Sequence, residues 1–113
     1  AFLCSVYCAS ITGGGITENL NRAMPDHLDA QVALASDGTC PWPVPPIIDL
    51  VSDAAGLTPE EALLTFNMGV GMALICAPED VDQVASAFTA ENCCPFVMGE
   101  VVPGTGKVTY ISK

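Results

Sequence analysis

Positively charged residues are scarce in this chain of 113 residues. Arg22, Lys107 and Lys113 are its 3 cations, against 13 Asp and Glu residues, which gives a formal net charge of −10. Nucleic acid binding is therefore not expected, because phosphate backbones need clustered Lys and Arg. The same charge opposes long-range capture of anions. A phosphate site would have to act at short range, through backbone N–H groups, Arg22, a metal ion or a partner domain.

Ligand sets for metals and residue sets for hydrolysis are also missing from the sequence. The 6 cysteines form no Cys-x-x-Cys pair, and the single histidine, His27, lies in a turn without a cysteine nearby. No zinc or other metal site is predicted, and His27 is expected at the surface. The thiols are expected to be free and buried, in a reducing compartment. Ser10 has no evident general base, so no catalytic residue is assigned.

Apolar runs are too short to cross a membrane. Residues 1–17 carry no charge, but their apolar part spans only about eleven residues, below the roughly 18–20 of a spanning helix. They also lack the basic start of a targeting peptide. We expect a cytoplasmic protein, with an organelle as the alternative. Because the chain begins at Ala1 without Met, we expect it to be processed or to be part of a longer polypeptide. It is 50% hydrophobic but only 14% charged, so we expect another domain or subunit to cover some of its apolar surface.

Hydrophobic periodicity predicts one α/β (α+β) domain over residues 1–113, with helices over a mixed sheet. The predicted strands are Leu3 to Ile11, Ala30 to Leu34, Met72 to Cys76, Phe96 to Val102 and Lys107 to Ile111, the last two joined as a hairpin by Pro103 to Gly106. The predicted helices are Thr17 to Met24, Ile47 to Ala55, one that begins at Thr58 and one that begins at Pro78.

Side-chain patterns assign faces and ends to these helices. Thr17 is the expected cap of the first, Gly56 the end of the second, and Thr58 with Glu61 a capping box for the third. The side chains predicted to face inward are Ile47, Ile48, Leu50 and Val51 on the second helix, Ala62, Leu63 and Phe66 on the third, and Val81, Val84, Ala85 and Phe88 on the fourth.

A glycine-rich stretch, Thr12 to Gly15, separates the first strand from the first helix. This arrangement either cradles a phosphate on helix N–H groups or makes a tight turn. It is neither a P-loop, since no lysine follows, nor a dinucleotide fingerprint, since Glu18 stands where a glycine is needed. Arg22 could reach back to a phosphate or pair with Glu18. Asn19 could bind a ligand or the helix start.

Two further stretches allow a ligand or a packing role. Asn67 to Gly71 contains two glycines before a predicted strand, which indicates close approach of a ligand or of another chain segment. Trp42 lies between two prolines and either stacks on a ligand or a neighbouring domain, or fills an edge of the core.

Taken together, these motifs resemble the C-terminal domain of phosphoribosylformylglycinamidine cyclo-ligase (AIR synthase). The resemblance rests on Ile11 to Gly15 followed by Glu18, Asn19, Leu20 and Arg22, on Trp42 to Pro46, on Thr65 to Met72 and on Gly99 to Val101. The glycine loop alone also occurs in selenophosphate synthetase, thiamine-monophosphate kinase and a hydrogenase maturation protein. The Trp-Pro and Phe-Asn-Met-Gly motifs are what single out the cyclo-ligase.

The resemblance implies a role in an ATP-dependent ligase that closes the imidazole ring of formylglycinamidine ribonucleotide, giving aminoimidazole ribonucleotide in purine biosynthesis. It implies a homodimer in which ATP and Mg²⁺ are held mainly by an N-terminal ATP-binding domain that these residues do not contain, so the chain alone should be inactive. It implies substrate and phosphate binding by Thr12, Gly13, Gly14, Gly15, Asn19, Arg22, Asn67, Gly69 and Gly71.

Two positions depart from the family pattern. Ser10 stands where the family usually has histidine, and Asn21 where it commonly has proline. If that histidine handles substrate or ATP, the chain is instead a non-catalytic binding or assembly module derived from this domain. Another member of the same ATP-using superfamily is a third possibility.

Overall fold

Helices and strands alternate along residues 7–112, the part of the chain that the computed structural model describes. In chain order the elements are β1 (Tyr7–Ser10), α1 (Gly15–Ala23), β2 (Leu28–Leu34), α2 (Pro46–Ala55), α3 (Pro59–Thr65), β3 (Met72–Ile75), a 3₁₀ turn (Pro78–Asp80), α4 (Val81–Ala90), β4 (Gly99–Pro103) and β5 (Val108–Ser112). The predicted α+β class is confirmed. The first part of the predicted opening strand, residues 3–6, lies outside the described residues.

The strands form two sheets, one of which is mixed as predicted. β1 and β3 make an antiparallel ribbon in which Tyr7 lies opposite Ile75. In the second sheet β2 lies in the middle, antiparallel to β4 and parallel to β5. The predicted β4–β5 hairpin is therefore wrong, because β2 separates these two strands. Their connection crosses the end of β2, where the Asp29 carboxylate accepts hydrogen bonds from the N–H groups of Thr105 and Lys107, both at 2.8 Å.

The core lies where α1 packs between α3 and the two sheets. Ile16 of α1 and Val32 of β2 are its largest fully buried side chains. Leu63, on α3, is buried beside them as predicted, whereas Phe66 is only half-buried. Trp42 belongs to this core, since it is 6% exposed and its indole N–H donates to the Met68 carbonyl at 3.0 Å. Of the two roles considered for Trp42, the structure therefore confirms core packing.

Two of the predicted helix ends are confirmed and one is wrong. Thr58 and Glu61 form the full capping box of α3. Gly56 ends α2 in the left-handed conformation, with φ of 68°. The predicted Thr17 cap of α1 is wrong, because Gly14, at φ 94°, starts the helix earlier. The Thr17 hydroxyl instead lies 2.7 Å from the hydroxyl of Tyr110 on β5. Burial raises the pKa of Tyr110, and this hydrogen bond opposes the shift.

The predicted inward face of α2 is largely wrong. Ile47 and Leu50 are 61% and 65% exposed and Val51 is 41% exposed, while Ile48 packs against the core. The reason is that these four residues cover about 160° of the helix surface, more than one packing face needs. Periodicity alone cannot choose which edge of so wide a stripe turns inward.

Burial is low in three other places, and for α4 and the cysteines it is lower than predicted. Met72 of β3 is 55% exposed, because the β1–β3 ribbon is covered on one face. On α4 the predicted inner face is its less exposed side, but no residue of that helix is buried. Cysteines 8, 40, 76, 93 and 94 are free as predicted, but none is buried, and Cys4 lies outside the described residues. None of the described helices combines the length and apolarity that a membrane span needs.

Candidate functional site

The Thr12 to Gly15 segment turns the chain from β1 into α1 with two left-handed glycines. Gly14 and Gly15 have φ values of 94° and 67°, and the Gly15 N–H donates to the Thr12 carbonyl at 3.1 Å. No side chain caps the helix. An uncapped helix start leaves N–H groups without an intrahelical acceptor, and its dipole is positive at this end. The backbone of the turn is therefore suited to an anion.

The three glycines of this turn differ in what an added Cβ atom would meet. A Cβ on Gly14 would overlap the Glu18 carboxylate, and a Cβ on Gly15 would overlap the Leu63 carbonyl oxygen. Packing against the α3 backbone explains Gly15, and the positive φ values explain both glycines, since a side chain disfavours that conformation. Neither reason applies to Gly13, because its φ is not positive and a Cβ there would meet nothing within 4 Å. The open space beside Gly13 is the place where another molecule could approach this backbone.

Asn19 lies behind the turn and is only 6% exposed. Its amide nitrogen donates to the carbonyls of Thr12 and Gly13, each at 3.2 Å, and of Gly15 at 2.8 Å. Its amide oxygen accepts from the Thr12 hydroxyl at 3.2 Å. Asn19 therefore holds the shape of the turn from the inside, which is the second of the two roles predicted for it. A ligand contact by Asn19 stays a prediction.

Arg22 and Glu18 lie together on the solvent side of α1. Arg22 Nη2 is 3.7 Å from Glu18 Oε2, with both side chains well exposed, and Nη1 donates to the Asn19 amide oxygen at 3.4 Å. The predicted i,i+4 pair is thus present. Exposed pairs of this kind are weak, about 0.2–0.5 kcal/mol. An anion could therefore draw Arg22 away from Glu18 at little cost.

The second glycine-containing stretch is a tight turn between α3 and β3. The Asn67 amide oxygen accepts from the Gly69 N–H at 2.8 Å, and Met68 and Gly69 have φ values of 54° and 87°. A Cβ on Gly69 would lie 2.6 Å from Pro45 Cδ. The Gly71 carbonyl accepts from the Ile11 N–H at 3.0 Å. Gly69 is thus required for close packing of this turn, and Gly71 ties it to the first glycine turn.

Both stretches meet at an open cleft of about 270 Å³. It is lined by Ile11, Thr12, Gly13, Ile48, Thr65, Phe66 and Asn67. The cleft unites three of the predicted site residues, namely Thr12, Gly13 and Asn67. The other six predicted site residues do not line it: Gly14, Gly15, Asn19, Arg22, Gly69 and Gly71.

Sequence reasoning did not assign four of the lining residues to the site, namely Ile11, Ile48, Thr65 and Phe66. Ile48 was predicted to be a core residue, and its apolar character gives no sign of a cleft. Thr65 directly precedes Phe66-Asn67, and that adjacency was the signal available for it. Its hydroxyl donates to the Glu61 carbonyl at 2.7 Å, as a threonine at the end of a helix often does.

The chemistry of the cleft is that of binding rather than proton transfer. None of the residues that line it has a titratable side chain. Among residues 7–112, no cluster of three or more His, Cys, Asp or Glu could hold a metal ion. The lining supplies backbone amides, the hydroxyls of Thr12 and Thr65, and the Asn67 amide. Such a surface can hydrogen-bond and orient a polar ligand.

Residues 6–111 match the family described as AIR synthase related protein, C-terminal domain. The chain is similar to phosphoribosylformylglycinamidine cyclo-ligase of Myxococcus xanthus, with 40% identity over 103 residues, 91% of this chain and 28% of the relative. The same enzyme of Bacillus licheniformis is 38% identical over 100 residues, 88% of the chain and 28% of the relative.

A Dictyostelium discoideum protein, bifunctional purine biosynthetic protein purD, is 40% identical over 94 residues, 83% of the chain and 11% of its own length. The chain thus spans less than a third of each of these three relatives. The family match covers nearly all of the described residues and both glycine turns. The chain belongs to the family of AIR synthase related protein C-terminal domains.

Proposed function

We propose that this chain is the C-terminal part of a phosphoribosylformylglycinamidine cyclo-ligase, which uses ATP to close the imidazole ring of formylglycinamidine ribonucleotide. The observation that carries the proposal is the cleft in which Thr12 and Gly13 meet Asn67, from two turns far apart in the sequence. Relatives named for this enzyme, at 38–40% identity, support the assignment. The proposed product is aminoimidazole ribonucleotide.

In this proposal the first glycine turn binds the phosphate of the ribonucleotide. Gly13 leaves space for a phosphate oxygen beside its backbone, and the α1 start adds N–H groups and a positive dipole. Arg22 lies on the same helix and can leave its weak pair with Glu18. Asn67 faces the cleft from the other side and offers an amide to the base or the ribose. Short-range contacts of this kind suit a chain whose net charge is −10.

ATP, Mg²⁺ and proton transfer are assigned to another part of the enzyme. The described residues do not fit a magnesium site, since they contain no carboxylate cluster. Their share of the reaction is to hold and orient the ribonucleotide, which favours ring closure by fixing the reacting atoms in place. We propose that an N-terminal ATP-binding domain supplies the nucleotide site and that the whole enzyme is a homodimer.

Gly13→Ala in the full-length enzyme tests the phosphate site. The structure has room for the added methyl group, so the melting temperature should not change. The KM for the ribonucleotide should rise roughly 10-fold or more, because the methyl group would occupy the space of the phosphate. Ser86→Thr adds one methyl group at an exposed position of α4 and is the control. Unchanged kinetics in a folded Gly13→Ala enzyme would remove this turn from the mechanism.

A second candidate is a non-catalytic binding module, and Ser10 favours it. Ser10 ends β1 directly before the cleft, is exposed, and stands where the family usually has histidine. Ribonucleotide binding by the full-length protein without ring closure, measured by calorimetry and by product formation, would support the module. Ring closure that appears only in Ser10→His would support it further.

A further inference from the structure

The turn between α3 and β3 holds a methionine in a conformation that side chains disfavour. The Val70 N–H donates to the Asn67 carbonyl at 2.9 Å, and the two residues between them, Met68 and Gly69, have φ values of 54° and 87°. Positive φ at both central positions is the pattern of a type I′ turn, in which glycine, asparagine and aspartate predominate. Among residues 7–112 the other non-glycine residue with positive φ is Asn92, and asparagine tolerates that region. Met68 therefore needs a contact from outside the turn to keep it there.

Trp42 supplies such a contact from a distant part of the sequence. Its indole N–H donates to the Met68 carbonyl at 3.0 Å, and the two residues are only 6% and 8% exposed. Relaxation of Met68 to negative φ would move this carbonyl and leave a buried donor and a buried acceptor unpaired, which is costly. The chain after Trp42 lies against the same turn, since a Cβ on Gly69 would be 2.6 Å from Pro45 Cδ and 3.4 Å from the Pro43 carbonyl oxygen. This segment therefore fixes the turn from one side.

The turn in this shape brings Asn67 to the cleft. Asn67 is one of the lining residues of the cleft, whereas Trp42 is not. The Asn67 amide oxygen accepts from the Gly69 N–H at 2.8 Å. Within the part of the chain that the structure describes, the Asn67 amide nitrogen has no hydrogen-bond acceptor. An amide whose oxygen is fixed in this way and whose nitrogen is free can donate to an oxygen atom of a ligand.

We propose that Trp42 is a positioning residue of the candidate site. Its indole N–H keeps Met68 left-handed and thereby fixes the Asn67 amide at the cleft, where the amide donates to an oxygen of the base or ribose of the ribonucleotide. This inference rests on the proposed function in so far as the ligand is that ribonucleotide. Because Trp42 acts through Met68 and does not touch the ligand, its replacement should weaken binding without removing a catalytic group.

Hydrogen exchange of single amides in the ligand-free, full-length protein tests the turn without use of activity. Trp42→Phe removes the indole N–H and keeps an aromatic ring. The Val70 N–H should then exchange at least about fivefold faster relative to the Phe66 N–H, because the loss of one hydrogen bond of ordinary strength has about that effect. Phe66 donates to the Ala62 carbonyl at the end of α3 and reports general loosening of the fold. An unchanged ratio would overturn the proposal.

Phe96→Leu is the matched control for this measurement. The Phe96 ring stacks on Trp42 with ring centroids 5.3 Å apart, so this variant loosens the packing of Trp42 but keeps its hydrogen bond. The ratio of the Val70 and Phe66 exchange rates should stay within about twofold of the wild-type value. A rise as large as that in Trp42→Phe would mean that ring packing, not the N–H donor, holds the turn, and the proposal would fail.

Two replacements of Met68 test the left-handed conformation and remain informative if Trp42→Phe does not fold. Both shorten a buried side chain, but valine strongly disfavours positive φ whereas glycine adopts it freely. The KM of the full-length enzyme for the ribonucleotide should therefore rise at least about fivefold in Met68→Val and less in Met68→Gly, although glycine removes more of the side chain. The reverse order would assign the effect to packing and contradict the proposal.

Steady-state kinetics of Trp42→Phe test the link to the ligand. The KM for the ribonucleotide should rise about fivefold or more, with kcat and the KM for ATP within about twofold, since a general loss of folded enzyme would lower kcat instead. In an Asn67→Ala enzyme Trp42→Phe should add no further rise, and additive effects would refute the route through Asn67. Unchanged Val70 exchange in an active enzyme rejects this inference and keeps the proposed function. Faster exchange in a protein that closes no ring rejects the proposed function and keeps the role of Trp42 in the turn.

Discussion

Replacement of Asn19 by alanine should destabilise the protein even when no ligand is bound. The Asn19 side chain is buried, and its amide nitrogen donates to the carbonyls of Thr12, Gly13 and Gly15. If these contacts fix the turn, their loss acts on the folded state itself. If Asn19 serves chiefly to bind a ligand, the ligand-free protein should be nearly unaffected.

The hydrogen bonds set the size of the effect. An amide nitrogen carries two hydrogens, so the three acceptors at 2.8–3.2 Å share two donors. At a net value of about 1 kcal/mol for each bond, and one more for the oxygen that accepts from Thr12, Asn19→Ala should lower the free energy of unfolding by about 2–3 kcal/mol. Asn19→Asp should cost at least as much at neutral pH, because a carboxylate would face the same carbonyl oxygens.

Urea unfolding followed by the fluorescence of Trp42, the single tryptophan of the chain, measures this difference. With a slope of about 1–3 kcal/mol per molar urea, the midpoint of Asn19→Ala should fall by about 0.7–3 M. Thr12→Val removes only the hydroxyl that donates to Asn19 and is the control, with an expected loss of about 0.5–1 kcal/mol. A loss below about 0.5 kcal/mol in Asn19→Ala would refute the assignment of Asn19 to the turn.

Three further predictions concern packing and titration. Gly15→Ala should lower the free energy of unfolding by about 1–3 kcal/mol in a urea titration, because its Cβ would overlap the Leu63 carbonyl; a wild-type midpoint would contradict this. Burial, with a smaller effect of a nearby aspartate, raises the pKa of Cys40 from 9.0 to about 11. The unfolded state loses this proton first, so stability should fall between about pH 9 and 11, and Cys40→Ser should remove that fall. Hydrogen bonds from backbone N–H groups, that of Lys107 foremost, lower the pKa of Asp29 from 3.8. The ionised carboxylate therefore stabilises the fold above this value, and the stabilisation is lost as the pH falls through the lowered pKa. Asp29→Asn should make the melting temperature vary less with pH in that range.

Local signals decided which parts of the fold were predictable from the sequence. The Thr58 capping box and the Gly56 helix end were read correctly, because each depends on a few neighbouring residues. The β4–β5 connection was misread as a hairpin, since its course depends on Asp29, more than 70 residues earlier in the chain. The exposed side of α2 was misread because its apolar stripe is wider than one packing face.

At the candidate site, too, local sequence signals could not predict the roles of single residues. Three adjacent glycines look alike in a sequence, yet Gly14 and Gly15 have positive φ and Gly15 also packs against the Leu63 carbonyl, whereas Gly13 borders open space. The contact that constrains Gly15 comes from a residue almost fifty positions away, so no local pattern could supply it. This difference between the glycines changes how the Gly13→Ala and Gly15→Ala variants should be interpreted. Loss of activity in Gly15→Ala reports the fold of the turn, whereas loss in a stable Gly13→Ala reports the ligand. The proposed phosphate site therefore depends on the one glycine of the three that neither packing nor a positive φ requires.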